Sequence, residues 1–133
     1  MQKLQVNSKM ISLTKKFTFD AAHRLSNYAG KCKNLHGHTY LLEVTIKGRV
    51  NKRTGMVMDF EDIKKIVDKL VLKKLDHQYI NKIVKVSTAE NIIQWIWKVL
   101  SNGFKKYNVE LYILKLWETP NSCVTYKLFD YEN

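Results

Sequence analysis

Three of the four histidines, His23, His36 and His38, stand where β-structure would bring them together. His36 and His38 flank a single glycine in "CKNLHGH" (32–38). In a strand, residues i and i+2 point to the same side with Cβ atoms ~7 Å apart, so two imidazoles there can converge on one metal. Gly37 lets the backbone bend or approach closely. His23 falls at the end of the preceding strand-like stretch; if that stretch pairs antiparallel with the one starting at His36, His23 lies beside both. Three neutral imidazoles and one open position are the coordination of a catalytic zinc, whereas a structural zinc would want a fourth protein ligand, which Cys32 could supply. A lone histidine more often packs or hydrogen-bonds. The weight here is on three at matching strand ends.

Other residues could carry proton chemistry. Cys32 lies four residues before His36 in a loop with Lys31 and Lys33; nearby ammonium groups and a metal would favour its thiolate. In "LDHQYIN" (75–81), Asp76 and His77 follow a helix end, outside any apolar stripe. A carboxylate accepting from an imidazole fixes its tautomer and raises its basicity, although sequence neighbours need not touch and could act through a third group. Glu118 ends a strand on the face of Leu114 and Leu116. A carboxylate there needs donors, and a ring with two adjacent N–H groups, such as a 2-amino-4-oxopyrimidine, would satisfy both oxygens. Cys123 reads as packing within a strand.

The elements that must position these residues follow from periodicity. Residues 11–23 and 37–48 alternate as strands. "NKRTG" (51–55) is a turn, after which Met56, Val57 and Met58 resume a short strand. Asp59 reads as an N-cap with Asp62 at N3, opening a helix with the stripe Ile63, Ile66, Val67, Leu70, Val71, Leu75. "STAE" (87–90) reads as a capping box, Ser87 capping and Glu90 reaching back, before a helix carrying Ile92, Ile93, Ile96, Trp97, Leu100 and Phe104; Gly103 is a weak stop signal. Strands follow at 109–117 and 123–129, joined by "TPNS". Two hairpins flanking two amphipathic helices predict an α+β domain, a four-stranded antiparallel sheet (ββααββ) with both helices on one face. Apolar residues on both faces (Leu41, Leu42, Trp117) suggest that a partner subunit covers the second. Residues 1–10 read as an N-terminal extension and 11–133 as one domain.

The bulk properties limit the function classes. A chain of 133 residues can bury a sizeable core without staples. Two widely spaced cysteines make no disulfide framework, and free thiols fit a reducing compartment. No stretch approaches a membrane span and no signal-peptide core is visible, so the expectation is cytoplasmic with no membrane partner. The net charge of +11 is spread over scattered lysines rather than a stripe. That suits a solvated surface or a phosphate-bearing ligand better than nucleic acid, although a zinc-stabilised, non-catalytic nucleic-acid-binding module is the rival of a different class.

Taken in order, "FDAAHRL", "CKNLHGHTY", "TGMVMDFEDIK", "LDHQYIN", "STAENI" and "WETPNS" make the chain, over residues 17–126, resemble the 6-pyruvoyltetrahydropterin synthase / 6-carboxytetrahydropterin synthase family, of the tunnelling (T-fold) class. The resemblance implies His23, His36 and His38 as zinc ligands and Cys32, Asp76 and His77 as catalytic groups. It implies Glu118 as the anchor of the pterin ring, with Thr88 near it. It also implies a pterin triphosphate substrate and a homohexamer, a dimer of trimers, whose sheets join into barrels with active sites at subunit interfaces. Three residues lie between Cys32 and His36. This short spacing resembles the 6-carboxytetrahydropterin synthases of queuosine and deazapurine biosynthesis. The enzyme forming 6-pyruvoyltetrahydropterin, with its longer insertion, and an aldolase-like reaction on dihydroneopterin are the alternatives on the same scaffold.

Overall fold

The computed structural model describes residues 9–25, 30 and 33–131. Cys32 and most of the expected N-terminal extension lie outside the described residues. Two long strands form the centre of the fold, β1 (Met10–His23) and β2 (His36–Arg49). They pair antiparallel from Met10↔Arg49 to His23↔His36 with no break in register. β2 pairs in turn with β4 (Val109–Thr119), and β4 with the edge strand β5 (Ser122–Lys127).

The sheet has five strands rather than the expected four, in the order β3-β1-β2-β4-β5. The additional β3 (Gln78–Tyr79) is two residues long and runs parallel to β1 through Ala21↔Gln78 and Ala22↔Tyr79. So short a segment has no periodicity to read. The strand expected at Met56–Met58 is absent. Instead the Asn51 N–H donates to the Met56 carbonyl at 2.9 Å and closes a loop, with Gly55 left-handed at φ 74°. The chain then meets the cap at Asp59 too soon for a ladder to form. The last strand also ends early, at Lys127, where a helical turn Leu128–Tyr131 begins.

Helix α1 (Phe60–Val67) starts where Asp59 accepts from the Glu61 N–H at 2.8 Å. It continues through a π-helical segment, Asp68–Leu72, to Leu75. Ile63, Val67, Val71 and Leu75 are buried, as the stripe requires. Helix α2 (Ala89–Gly103) is capped by Thr88, whose hydroxyl oxygen accepts from the Asn91 N–H at 3.1 Å, not by Ser87. The capping box therefore does not form as expected; Ser87 is fully buried and engaged elsewhere. Gly103 is the last residue of α2, as the stop signal predicts, and is also a packing residue: a Cβ there would stand 2.3 Å from the Leu70 Cδ1.

Both helices cover one face of the sheet, and the core lies between them. Phe17, Phe19, Tyr40, Leu42, Val44, Ile46, Leu111, Leu114 and Leu116 from the strands meet Ile63, Val67, Ile92, Ile96 and Leu100 from the helices. The opposite face is mixed: Glu43 sits across from Lys115 and Lys47 from Glu110, opposite-charge cross-strand pairs, while Leu41 faces Trp117. Among the described residues, no helix is long and apolar enough to cross a membrane.

Candidate metal centre and active site

The β1–β2 register decides the site. Because His23 is the last residue of β1 and pairs with His36, the first of β2, the three histidines fall at one end of the sheet. His36 and His38 share a side with Tyr40, as the two-residue period demands. Their ligand nitrogens and that of His23 all lie within 4.8 Å of one another. The His36 and His38 rings meet edge-on with centroids 4.8 Å apart, and the His23 and His36 rings are tilted by 58° with centroids 4.6 Å apart.

Hydrogen bonding fixes which nitrogens face inward. His23 Nδ1 stands 2.8 Å from the Ser87 carbonyl, and His36 Nδ1 2.7 Å from the Asn34 carbonyl. A carbonyl only accepts, so each Nδ1 carries the proton and each Nε2 presents a bare lone pair in the neutral ring. Those two Nε2 atoms are 3.1 Å apart, where two lone pairs repel. Only a proton or a cation between them relieves this. Burial disfavours the proton: the His23 imidazole is pushed below its ordinary pKa mainly by desolvation, and the charges of His36 and His38 add to this against the Ser87 bond and Glu118. His38 is lowered as well, again chiefly by burial. Its buried Nε2 has no hydrogen-bond partner. Imidazoles on a tetrahedral zinc bonded at about 2.0 Å place their nitrogens about 3.3 Å apart. The donor set, spacing and tautomers therefore fit a divalent ion, with second partners on the far nitrogens of two ligands.

Glu118 stands beside this cluster. Its Oε2 is 3.8 Å from both His23 Nε2 and His38 Nε2, and the residue lies at a register irregularity between Trp117 and Thr119. It is partly exposed, so a carboxylate there can meet an incoming ligand. Tyr40, stacked on Phe19 at 4.9 Å, closes the base of the site. Burial raises its phenol well above its ordinary pKa, and Glu118 adds to this.

Asp76 and His77 do touch, without a third group between them: His77 Nδ1 is 3.0 Å from Asp76 Oδ1. The same oxygen accepts from the Asp20 N–H at 3.0 Å. The His77 N–H donates to the Asp20 carbonyl at 2.6 Å, and the Thr39 hydroxyl bonds to the Asp20 carboxylate. His77 adopts φ 59°, left-handed and rare outside glycine. A surface depression at this corner is lined by Asp20, Gly37, His38, Thr39, His77 and Tyr79; the Asp20 and Thr39 side chains leave the sheet on the face opposite to His38.

The expected ligands are thus brought together, with Glu118 next to them, whereas His77 gathers with Asp20 and Asp76 in a separate group. Thr88 serves as the helix cap. Cys123 is a free, exposed thiol on β5, on the surface and not in the core. Sequence reasoning missed Asp20, Thr39 and the carbonyls of Asn34 and Ser87. Backbone acceptors leave no residue-type signal, and Asp20 and Thr39 read as ordinary outward strand positions.

A family model described as 6-pyruvoyl tetrahydropterin synthase matches residues 12–128. The chain is 37% identical to a 6-carboxy-5,6,7,8-tetrahydropterin synthase of Haemophilus influenzae, covering 89% of this chain and 99% of that one. It is 44% identical to a dihydroneopterin monophosphate aldolase of Pyrococcus furiosus over 76% of this chain and 83% of that one. A solved 6-pyruvoyl tetrahydropterin synthase of Caenorhabditis elegans superposes with a TM-score of 0.74 at 33% identity, covering 90% of this chain and 96% of that one. With most of its length matched by the family model and by relatives of this similarity, the chain belongs to the 6-pyruvoyl tetrahydropterin synthase family.

Proposed function

We propose that the protein is a zinc-dependent, cytoplasmic 6-carboxytetrahydropterin synthase. It converts 7,8-dihydroneopterin triphosphate to 6-carboxy-5,6,7,8-tetrahydropterin with release of acetaldehyde and triphosphate, in queuosine or deazapurine biosynthesis. The observation that carries this reading is the convergence of His23, His36 and His38, with the Nε2 lone pairs of His23 and His36 turned inward. The short Cys32–His36 spacing supports the 6-carboxy outcome.

Each residue has a part in this reading. His23, His36 and His38 hold the metal. Bound there, the ion supplies Lewis-acid polarisation of the substrate's side-chain hydroxyls. Glu118 accepts the two N–H groups of the aminopyrimidine edge, and the Thr88 hydroxyl, which still has a proton to donate, contacts the pterin. Cys32 as thiolate removes a proton next to the ring. His77, oriented by Asp76, takes or returns the second, the two transfers contributing roughly 10²–10⁴ in rate. The subunits assemble as a homohexamer, a dimer of trimers, with the mixed sheet face lining a barrel and the active sites at subunit boundaries.

A second reading is favoured by the 44% identity to the aldolase. Both reactions break a carbon–carbon bond of the pterin side chain, and they differ in the fragment released. A retro-aldol cleavage of a phosphorylated dihydroneopterin leaves the phosphate on the two-carbon aldehyde. The synthase releases acetaldehyde with the phosphates lost separately. Incubation with 7,8-dihydroneopterin triphosphate and analysis of the small products decides: acetaldehyde with free triphosphate supports the proposal. A phosphorylated glycolaldehyde supports the aldolase, and a 6-pyruvoyl product without aldehyde supports the third member of the family.

A further inference from the structure

His23 is the most buried of the three imidazoles, at 1% exposure, and its aim depends on the carbonyl of Ser87. Ser87 precedes α2 and belongs to no strand, so something must hold it against β1. Beside a 3.4 Å bond from the Ser87 hydroxyl to the Arg24 carbonyl, the group that does this is the side chain of Asn81. Its Nδ2 donates to the Arg24 carbonyl at 2.9 Å and to the Lys85 carbonyl at 3.0 Å. Its Oδ1 accepts from the Arg24 N–H at 3.0 Å and from the Ser87 hydroxyl at 3.2 Å. An asparagine amide offers two donors and two lone pairs, and here all four are engaged. Because Nδ2 faces two carbonyls, the amide can sit only one way round.

One side chain therefore ties the residue after His23 to the segment that supplies His23 with its hydrogen-bond acceptor. Arg24 receives from Asn81 both bonds that a neighbouring strand would otherwise give. We propose that Asn81 is a positioning residue of the metal centre: by locking Ser87 against the end of β1 it sets the tautomer and direction of His23. The inference rests on the metal reading of the three histidines. Groups that orient a ligating histidine typically change metal affinity 10- to 100-fold when lost.

The test is zinc affinity of the purified chain, measured by competition with a chromogenic chelator, together with melting of the metal-free and zinc-loaded forms. Asn81→Ala should weaken zinc binding roughly 10- to 100-fold and narrow the gap between the two melting temperatures. Asn81→Asp, which places an oxygen against two carbonyls, should do at least as much. Ser87→Ala keeps the carbonyl but loses the hydroxyl's contacts with Asn81, the Arg24 carbonyl and His23 Nδ1, so a loss of about a few-fold is expected. A merely structural Asn81 would lower both melting temperatures equally and leave zinc affinity within about twofold of wild type; that result overturns the inference. If Asn81→Ala does not fold, the same criterion applied to Asn81→Asp and Ser87→Ala decides. Wild-type protein that takes up no zinc would bring down the metal reading itself, whereas tight wild-type binding with unaffected variants refutes the role of Asn81 alone.

Discussion

The histidine cluster and the Asp76–His77 corner lie at the same end of the sheet but are built differently. The cluster sits on the two central strands, in an unbroken register, with His23 buried and two rings tied to backbone carbonyls. The corner sits in the turn leading into the two-residue edge strand β3, with His77 76% exposed and held at φ 59° by its N–H to Asp20. A left-handed residue costs roughly 1–2 kcal/mol, which the Asp20 and Asp76 bonds must offset. Metal ligands have to converge to within tenths of an ångström, and paired strands do this well. A proton-transfer group has to meet both substrate and solvent, and an edge turn leaves it that access.

Separate construction implies separable damage. The largest effect is expected from His36→Ala, which removes one of the converging nitrogens. Zinc affinity should fall by roughly a hundredfold or more and turnover should vanish with it, as metal analysis and product assays would show. His77→Ala should leave zinc content unchanged while turnover falls roughly 10²–10⁴-fold, and Cys32→Ala should behave likewise. Metal lost from either would erase the distinction between the regions, and for Cys32 would make its sulfur a ligand.

Acid should act on the cluster of the metal-free protein. His23 and His38 are held below their usual pKa of 6.5, mainly by burial. Between the lowered values and 6.5 the unfolded chain binds more protons than the native one, so stability rises with pH across that interval. Melting temperature after chelation should be level above about pH 6.5 and fall as the pH drops below it. A rise on acidification would contradict the buried, neutral imidazoles. The smallest effect belongs to Thr39→Val, which frees the Asp20 carboxylate from its hydroxyl partner. Turnover should drop about several-fold, corresponding to roughly 1 kcal/mol, with metal affinity intact.

What could be read from the sequence divides along the same line. Two-residue alternation placed His36 and His38 on one side, and the matching strand ends brought His23 to them; the register bears this out. The helix stripes of α1 and α2 were equally plain, because burial on a helix follows a fixed period. Asp76 and His77 stood out as a candidate pair, but the geometry of their corner was not legible, since their contact depends on one left-handed residue and a parallel pairing too short to leave a pattern. Ser87 misled for a related reason. Its type and its distance from Glu90 fit a capping box, but the cap falls one residue later at Thr88, and Ser87 turns inward to His23. Local signals describe one element at a time, whereas these contacts join residues up to 64 positions apart.

The metal centre is tested most directly by zinc K-edge X-ray absorption on the zinc-loaded chain. Three imidazole nitrogens at about 2.0–2.1 Å, completed by oxygen alone, are the predicted first shell. A sulfur scatterer at about 2.3 Å, or fewer than three imidazoles, would contradict a site with an open position for substrate.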